Sequence, residues 1–441
     1  MSLKKWSSTA VGKVVANSGY TTVLSGTINI KKGDTLRIHG HVGLSNENYK
    51  IGPVAANIRT LVNGVQVGST SAENVEPCCG THHLPLYTDA VFVGSSDGAA
   101  KMEIQISAFR SGANVDLKVD GEGEGTSPYR QLLVEHYRNF YTESSAIGAS
   151  AYRLLSYDGQ TSPLITSFGS AAFHRSTAYS LAMNVASGDI VKILGQATGQ
   201  WRPTYKEGNL VTAEMQGQGI YVDTTSSAPI SAWATENFTS IIPTTPLFTH
   251  AVHRPTVNGI SRYLVGLHSV VDAGGNLIGD GGHIHALRFT PVATSRRGFH
   301  LKESRSAAPS NHDPAQLTAN ASQPTVIRST SIQGETNDLA VITGYVSIYY
   351  PTASGITSGI SCASQLHIKN AAGSTVSSSA VSYKYVTSSL ESLALRSEMV
   401  ASLPSDGSYR AEMHAWCYYS QSSPVISFGQ THLIVDRYSA E

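Results

Sequence analysis

Two histidine pairs, a cysteine–histidine cluster and a run of carboxylates are the residues whose types and spacing could do chemistry here. Cys78-Cys79-Gly80-Thr81-His82-His83 gathers four side chains that zinc accepts as ligands. Structural zinc sites separate paired ligands by about two to four residues, so that the side chains converge tetrahedrally. Adjacent Cys-Cys and His-His pairs point apart in an extended chain, so a loop with buried thiols is expected and a metal is not. His39-Gly40-His41 and His283-Ile284-His285 each place two imidazoles on one face of a strand, with His250 and His253 near the second pair in sequence. No carboxylate or cysteine beside them in sequence completes a ligand set. Interface or surface histidines are the expectation, with a pH-sensitive contact as an alternative, since imidazole titrates near neutrality. Asp120-Gly121-Glu122-Gly123-Glu124-Gly125 offers hard oxygens, but its spacing is not that of the helix–loop–helix calcium motif. It reads as a solvated loop.

Hydrolytic chemistry finds no better footing. Gly94-Ser95-Ser96-Asp97-Gly98 matches the pattern of a nucleophile elbow, which requires a strand-to-helix turn. Here it joins two strand-like segments, so a hairpin loop is expected. Glycoside hydrolysis needs two facing carboxylates, and no such pair recurs. Arg296, Arg297, Lys302 and Arg305, opposed by Glu303, make one stretch locally basic. Without aromatic side chains for stacking it reads as a solvated linker, not a nucleic-acid surface. The expectation is therefore no catalytic residue, no metal and no cofactor.

The composition supports a β-rich chain with a polar but mostly uncharged surface. Its 441 residues carry 31 Lys plus Arg against 31 Asp plus Glu, and charged residues are only 14%. That excludes a generally cationic nucleic-acid binder, a charged coiled coil and a charge-driven disordered chain. Few like charges also favour close packing against other proteins. No apolar run follows Met1–Trp6, and no window approaches a membrane span, so neither a secretory signal nor a membrane contact is expected. Cys78, Cys79, Cys362 and Cys417 are expected to stay reduced in a cytosol.

The elements that must position these residues recur three times. Gly33-Asp34-Thr35-Leu36-Arg37-Ile38-His39-Gly40 reads as a turn followed by a strand. Gly188–Gly195 and Asn337–Gly344 repeat it, with Asp after the turn residue, Ile four positions later and Gly six later. The Gly-Asp or Asn-Asp pair suits a positive φ and side-chain-to-backbone bonding. The closing glycine suggests a bulge or a close backbone approach. Each copy ends alike, at Leu133–Arg138, Ile284–Arg288 and Leu433–Arg437, and the repeated arginines Arg138, Arg288 and Arg437 suggest a strand-end salt bridge. Short β-branched and aromatic runs lie between, about eight per copy, with one short helix expected at Ser388–Leu395. The fold class expected is all-β: three tandem, mutually similar antiparallel β-sandwich domains of jelly-roll type. The predicted boundaries are 1–140, 168–293 and 326–441, with linkers at 141–167 and 294–325. Three such units could form either a pseudo-threefold body or an extended arm.

On the repeats Gly33–Gly40, Gly188–Gly195 and Asn337–Gly344, the chain resembles the tandem jelly-roll structural proteins of tailed-bacteriophage virions. The resemblance implies a non-enzymatic role in capsid decoration or cementing, or in the tail. It implies assembly in the host cytoplasm and residence in the virion. The partners would be other capsid or tail subunits, in a homo-oligomer or lattice. An alternative is a tail receptor-binding protein that recognises a host surface glycan. The binding residues would then be Trp201, Tyr205, Trp233, Tyr349 and Tyr350, with Tyr418 and Tyr419, since aromatic faces stack on sugar rings. A polysaccharide depolymerase is a third reading.

Overall fold

The structure, a computed structural model, describes residues 2–8, 10, 12–46, 54–75, 84–109, 116–119, 130–138, 150–162, 167–169, 174–203, 214–223, 229–231, 234–238, 244–270, 275–293, 301–307, 316–318, 324–349, 360–379, 381–386, 392–418 and 425–439. Every regular element among the described residues is a β-strand. The first repeat contains β1 (Ser2–Ser8), β2 (Gly12–Val15), β3 (Thr21–Ile30), β4 (Thr35–Ser45) and β5 (Val54–Val62). It continues with β6 (Val65–Val75), β7 (Leu84–Val93), β8 (Gly98–Phe109), β9 (Asp116–Val119) and β10 (Arg130–Tyr137). The second has β11 (Ser150–Ser162), β12 (Ser167–Gly169), β13 (His174–Val185), β14 (Ile190–Pro203) and β15 (Glu214–Val222). Its remaining strands are β16 (Ala234–Phe238), β17 (Thr244–His253), β18 (Gly259–Val270) and β19 (Gly275–Ala293). The third has β20 (Leu301–Ala307), β21 (Gln316–Thr318), β22 (Thr325–Gly334), β23 (Leu339–Tyr349) and β24 (Ile360–Asn370). It closes with β25 (Thr375–Ser378), β26 (Ser382–Val386), β27 (Ser392–Ser402), β28 (Gly407–Tyr418) and β29 (Val425–Tyr438).

Each repeat is a sandwich of two antiparallel sheets with one shared strand order. The inner sheets run β1-β10-β4-β7, β11-β19-β14-β17 and β20-β29-β23-β27. The outer sheets run β3-β8-β5-β6, β13-β18-β15-β16 and β22-β28-β24-β25, with β26 also on β24. Eight strands split four and four in this interleaved order make a jelly roll, three times over. Each sandwich has its own apolar core, with Leu36, Ile38 and Ile104 in the first, Ile193, Ile220 and Val265 in the second, and Ile342, Leu366 and Met413 in the third.

The repeated turn carries the backbone conformation that its residues suggested. Gly33, Gly188 and Asn337 have φ of 86, 88 and 68°. Asp34 accepts a hydrogen bond from the Lys31 amide at 2.9 Å, Asp189 from Ala186 at 2.7 Å and Asp338 from Glu335 at 3.1 Å. The closing glycine marks a close approach. A Cβ on Gly40 would lie 2.6 Å from Ile104 Cδ1, and one on Gly344 would lie 2.8 Å from Leu366 Cδ2.

Four expectations are corrected. The stretches 141–167 and 294–325 contain β11, β20 and β21, which pair with β19 and β29, the last strands of their repeats. Such strands are held by backbone bonds, so a Ser-rich sequence can supply them and still read as a linker. Ser392–Leu395 belong to β27, not to a helix, and 387–391 lie outside the described residues. Cys362 and Cys417, expected to be reduced, form a disulfide, because β24 and β28 make them direct cross-strand neighbours. Finally, the residue in register with Arg288 and Arg437 is His136, not Arg138, and it contacts Asp34 at 2.7 Å. Arg288 and Arg437 do make the expected strand-end bridges, to Asp189 and Asp338, each at 2.6 Å.

Candidate functional site

The outer and inner sheets differ in how many faces they bury. Along β8, Ala100, Met102, Ile104, Ile106 and Ala108 are buried while their neighbours face outward, the alternation of a half-solvated sheet. In β4 nearly every residue is buried on both faces. Leu36, Ile38 and Val42 fill the sandwich, so Arg37, His39 and His41 must point to the opposite side. The same register in β14 carries Lys192, Leu194 and Gln196, and in β23 Val341, Thr343 and Tyr345. Opposite them stand Val91, Asp89 and Tyr87 on β7, Val252, His250 and Phe248 on β17, and Val400, Glu398 and Arg396 on β27.

These second faces meet one another. One part of the contact is apolar and drawn from all three repeats: Val91, Tyr137, Ile190, Leu194, Leu287, Phe289, Val341 and Tyr438. Beside it lies an ionic layer. Arg396 grips Asp89 with contacts of 2.7 and 3.2 Å, and its Nη2 also donates to Glu398 at 3.1 Å. Arg37 donates to Glu135 at 2.8 Å. His39 Nδ1 contacts Asp89, and lies 3.4 Å from Glu398. Lys192 reaches Asp436 at 2.5 Å and Glu135 at 3.7 Å. Four carboxylates thus face three basic side chains, and an imidazolium at His39 completes the match. All three pairs of repeats are linked in this layer, so the three jelly rolls close into one body around a shared junction.

Burial and charge set the protonation states. Burial opposes an imidazolium at His39, but Glu398 and Asp89 outweigh both burial and Arg37 and raise its pKa. Burial would raise Asp89, yet Arg396 and His39 hold it well below the carboxylate range. Glu135 is likewise held low, by Lys192 and Arg37 against burial. Burial pushes His250 well down despite Asp89. A neutral ring suits its place: Nε2 donates to Asp89 at 3.3 Å, and Nδ1 accepts from Arg37 Nη2 at 3.4 Å. Burial also lowers His283 and His432 to about 4.

Between the first and third repeats a cavity of about 20 Å³ is lined by His39, His41, Tyr87, Gln131, Arg396 and Glu398. It holds about one water molecule and is too small for a sugar ring. Ser69 and His283 form a serine–histidine contact at 2.8 Å, but His283 Nε2 has no hydrogen-bond partner, so no carboxylate orients the ring as a triad would. Among the described residues no group of three or more His, Cys, Asp or Glu side chains could hold a metal ion.

Of the residues singled out from the sequence, the junction gathers His39, His41, His250, His283 and His285. The carboxylates missing beside them in sequence, Asp89, Glu135 and Glu398, arrive from other strands and other repeats. The cysteine–histidine cluster Cys78, Cys79, His82 and His83 lies outside the described residues, as do Asp120–Gly125, Arg296 and Arg297. So do Tyr205, Trp233, Tyr350 and Tyr419. Trp201, Tyr349 and Tyr418 sit on β14, β23 and β28, but their side chains lie outside the described part. Lys302 and Arg305 are on β20, where Lys302 pairs with Glu335 at 2.7 Å and Arg305 with Glu303. Sequence reasoning missed Arg37, Lys192, Arg396 and Asp436. The available signal was a base at one register of the first two repeats, Arg37 and Lys192, and an acid at another of the first and third, Glu135 and Asp436.

No protein-family model matches the sequence, and no curated protein matches it. Solved structures show only remote likeness. PNGF-II in its P21 crystal form is 7% identical with a TM-score of 0.24, over 87% of this chain and 99% of that one. In its C2 form the values are 8% and 0.25, over 88% and 99%. The tandem CBM22-1–CBM22-2 domain of Paenibacillus barcinonensis Xyn10C is 12% identical with a TM-score of 0.16, over 63% of this chain and 92% of that one. Likeness at these scores carries no functional argument, and the chain's fold rests on its own strand order.

Proposed function

We propose that this chain is a non-enzymatic structural protein of a virion, a fused trimer of jelly rolls that decorates or cements a capsid or joins a tail. The observation that carries the reading is the junction itself. Its acids, bases and histidines are directed at one another across three repeats, not at an open cleft. Groups committed to buried ion pairs are held in position against one another, which suits assembly and not repeated turnover of a substrate. Three sandwiches of one design also present three related outer sheets, and repeated surfaces bind a lattice with avidity. The partners in this reading are other capsid or tail subunits, and the protein, assembled in the host cytoplasm, resides in the particle.

The test is reconstitution. Purified chain added to stripped particles should rebind in fixed stoichiometry and raise their heat resistance. Absence of rebinding to capsids and tails alike would overturn the reading. Adhesion to host cells without particle rebinding would replace it with the receptor-binding alternative. Release of reducing ends from host surface polymer would replace it with a depolymerase.

A further inference from the structure

We propose that Lys192 and Asp436 form a covalent isopeptide bond that ties the second repeat to the third at the centre of the junction. Lys192 stands on β14 opposite Leu287, which offers no acid, and Asp436 stands on β29 opposite Val341, which offers no base. The two charges match only across the repeat boundary. In the first repeat the corresponding positions are Arg37 and Glu135, direct cross-strand partners. There the base is a guanidinium, a poor nucleophile that stays protonated. The inter-repeat pair instead uses an amine, which can be acylated.

The local geometry is that of a condensation site. Lys192 Nζ lies 2.5 Å from Asp436 Oδ2, closer than the usual range of about 2.7–2.9 Å for such a charged pair. Both side chains are buried, with relative exposures of 6% and 4%. The Lys192 ammonium lies 5.8 Å from the Phe289 ring and 5.7 Å from the Tyr438 ring. Asp436 Oδ1 is buried and has no hydrogen-bond partner. A carboxylate with one stranded oxygen is costly to bury, whereas an amide retains one oxygen and carries no charge. A proton path is also in place. Lys192 Nζ donates to Tyr438 Oη at 3.0 Å, and Tyr438 Oη donates to Glu135 Oε2 at 3.0 Å.

The step balances without any co-reactant. The Lys192 ammonium passes one proton through Tyr438 to Glu135, leaving a neutral amine. Nζ attacks Asp436 Cγ and the C–N bond forms. One carboxyl oxygen then leaves as water, taking the proton held by Glu135 and a second proton from the attacking nitrogen. The C–O bond breaks, the amide remains and Glu135 returns to carboxylate. Fixed proximity of the two groups replaces external activation.

The experiment is an intact-mass measurement on the reduced, purified full chain, followed by peptide mapping. The expected result is a mass below that of the reduced sequence by one water molecule, with the Lys192 and Asp436 peptides recovered as a single branched species. Lys192→Met should restore the full mass, and Glu135→Gln should leave a mixture of linked and unlinked chains. A wild-type mass equal to the reduced sequence would overturn the proposal. So would water lost elsewhere, with the two peptides separate. If Lys192→Met does not fold, the wild-type peptide map alone decides.

Discussion

The interiors of the sandwiches and the junction between them are buried alike but built on opposite chemistry. Leu36, Ile38 and Ile104 fill the first sandwich, and equivalent aliphatic side chains fill the others. On the reverse face of the same strand, Arg37 and His39 are just as hidden, within an ionic layer. An apolar core accepts many partners of suitable volume. A buried ion accepts only a partner of opposite charge in the right place, since each unmatched charge is heavily penalised. The contrast suggests a division of labour: apolar packing makes each jelly roll, and charge matching selects how three of them meet.

The largest expected effect breaks the ionic side of this comparison. Arg396→Met leaves Asp89 and Glu398 without their guanidinium and should cost about 3–5 kcal/mol in denaturant unfolding. Replacing Asp89 with Leu in the same chain should recover most of that loss. Failure of the double variant to recover would show that the arginine acts through packing instead. On the apolar side, Leu366→Ala should cost about 2–5 kcal/mol through its cavity. Its effect should stay within the third repeat, as hydrogen-exchange protection of β24 and β28 would report.

A smaller effect comes from pH. His283 and His432 titrate near 4 in the folded chain, against about 6.5 when exposed. Between those values the unfolded state binds more protons, so stability falls as the pH drops from about 6.5 to 4. The lowered pKa values of Asp89 and Glu135 extend the loss to more acid conditions. His39 works in the other direction. Its folded pKa is raised, so its contribution is complete below about 6.5 and fades as pH climbs through the raised value. A melting temperature that does not fall between neutrality and pH 4 would contradict the buried histidines. The smallest effect should be at the rim. Val257, 72% exposed, occupies a turn where Ser96 and Ser405 stand in the other repeats, and Val257→Ser should change stability by less than about 0.5 kcal/mol.

Much of the fold could be read from the chain, because turns and strands have local signatures. Asp34, Asp189 and Asp338 announced their turns, and Gly40 and Gly344, six residues on, announced close contacts. The ends of the repeats were harder. His136 and Arg288 do the same work for an aspartate, yet they are different residue types, so Arg138 drew the comparison two positions too far. The junction was half legible. His39 and His41 could be placed on one strand face, but a buried ionic face has the same alternating pattern as a solvated one. Asp89, Glu135 and Glu398 are distant from each other in sequence, and only the packing of three repeats brings them to His39. The same holds for Cys362 and Cys417, which are 55 residues apart and adjacent only through strand pairing.

Calorimetry is the most direct trial of the idea that charge matching welds three jelly rolls together. The wild-type chain should melt in a single cooperative transition, and Arg396→Met should separate the third repeat as an earlier one. Three independent transitions in the wild-type chain, or an Arg396→Met profile superimposable on it, would contradict the account.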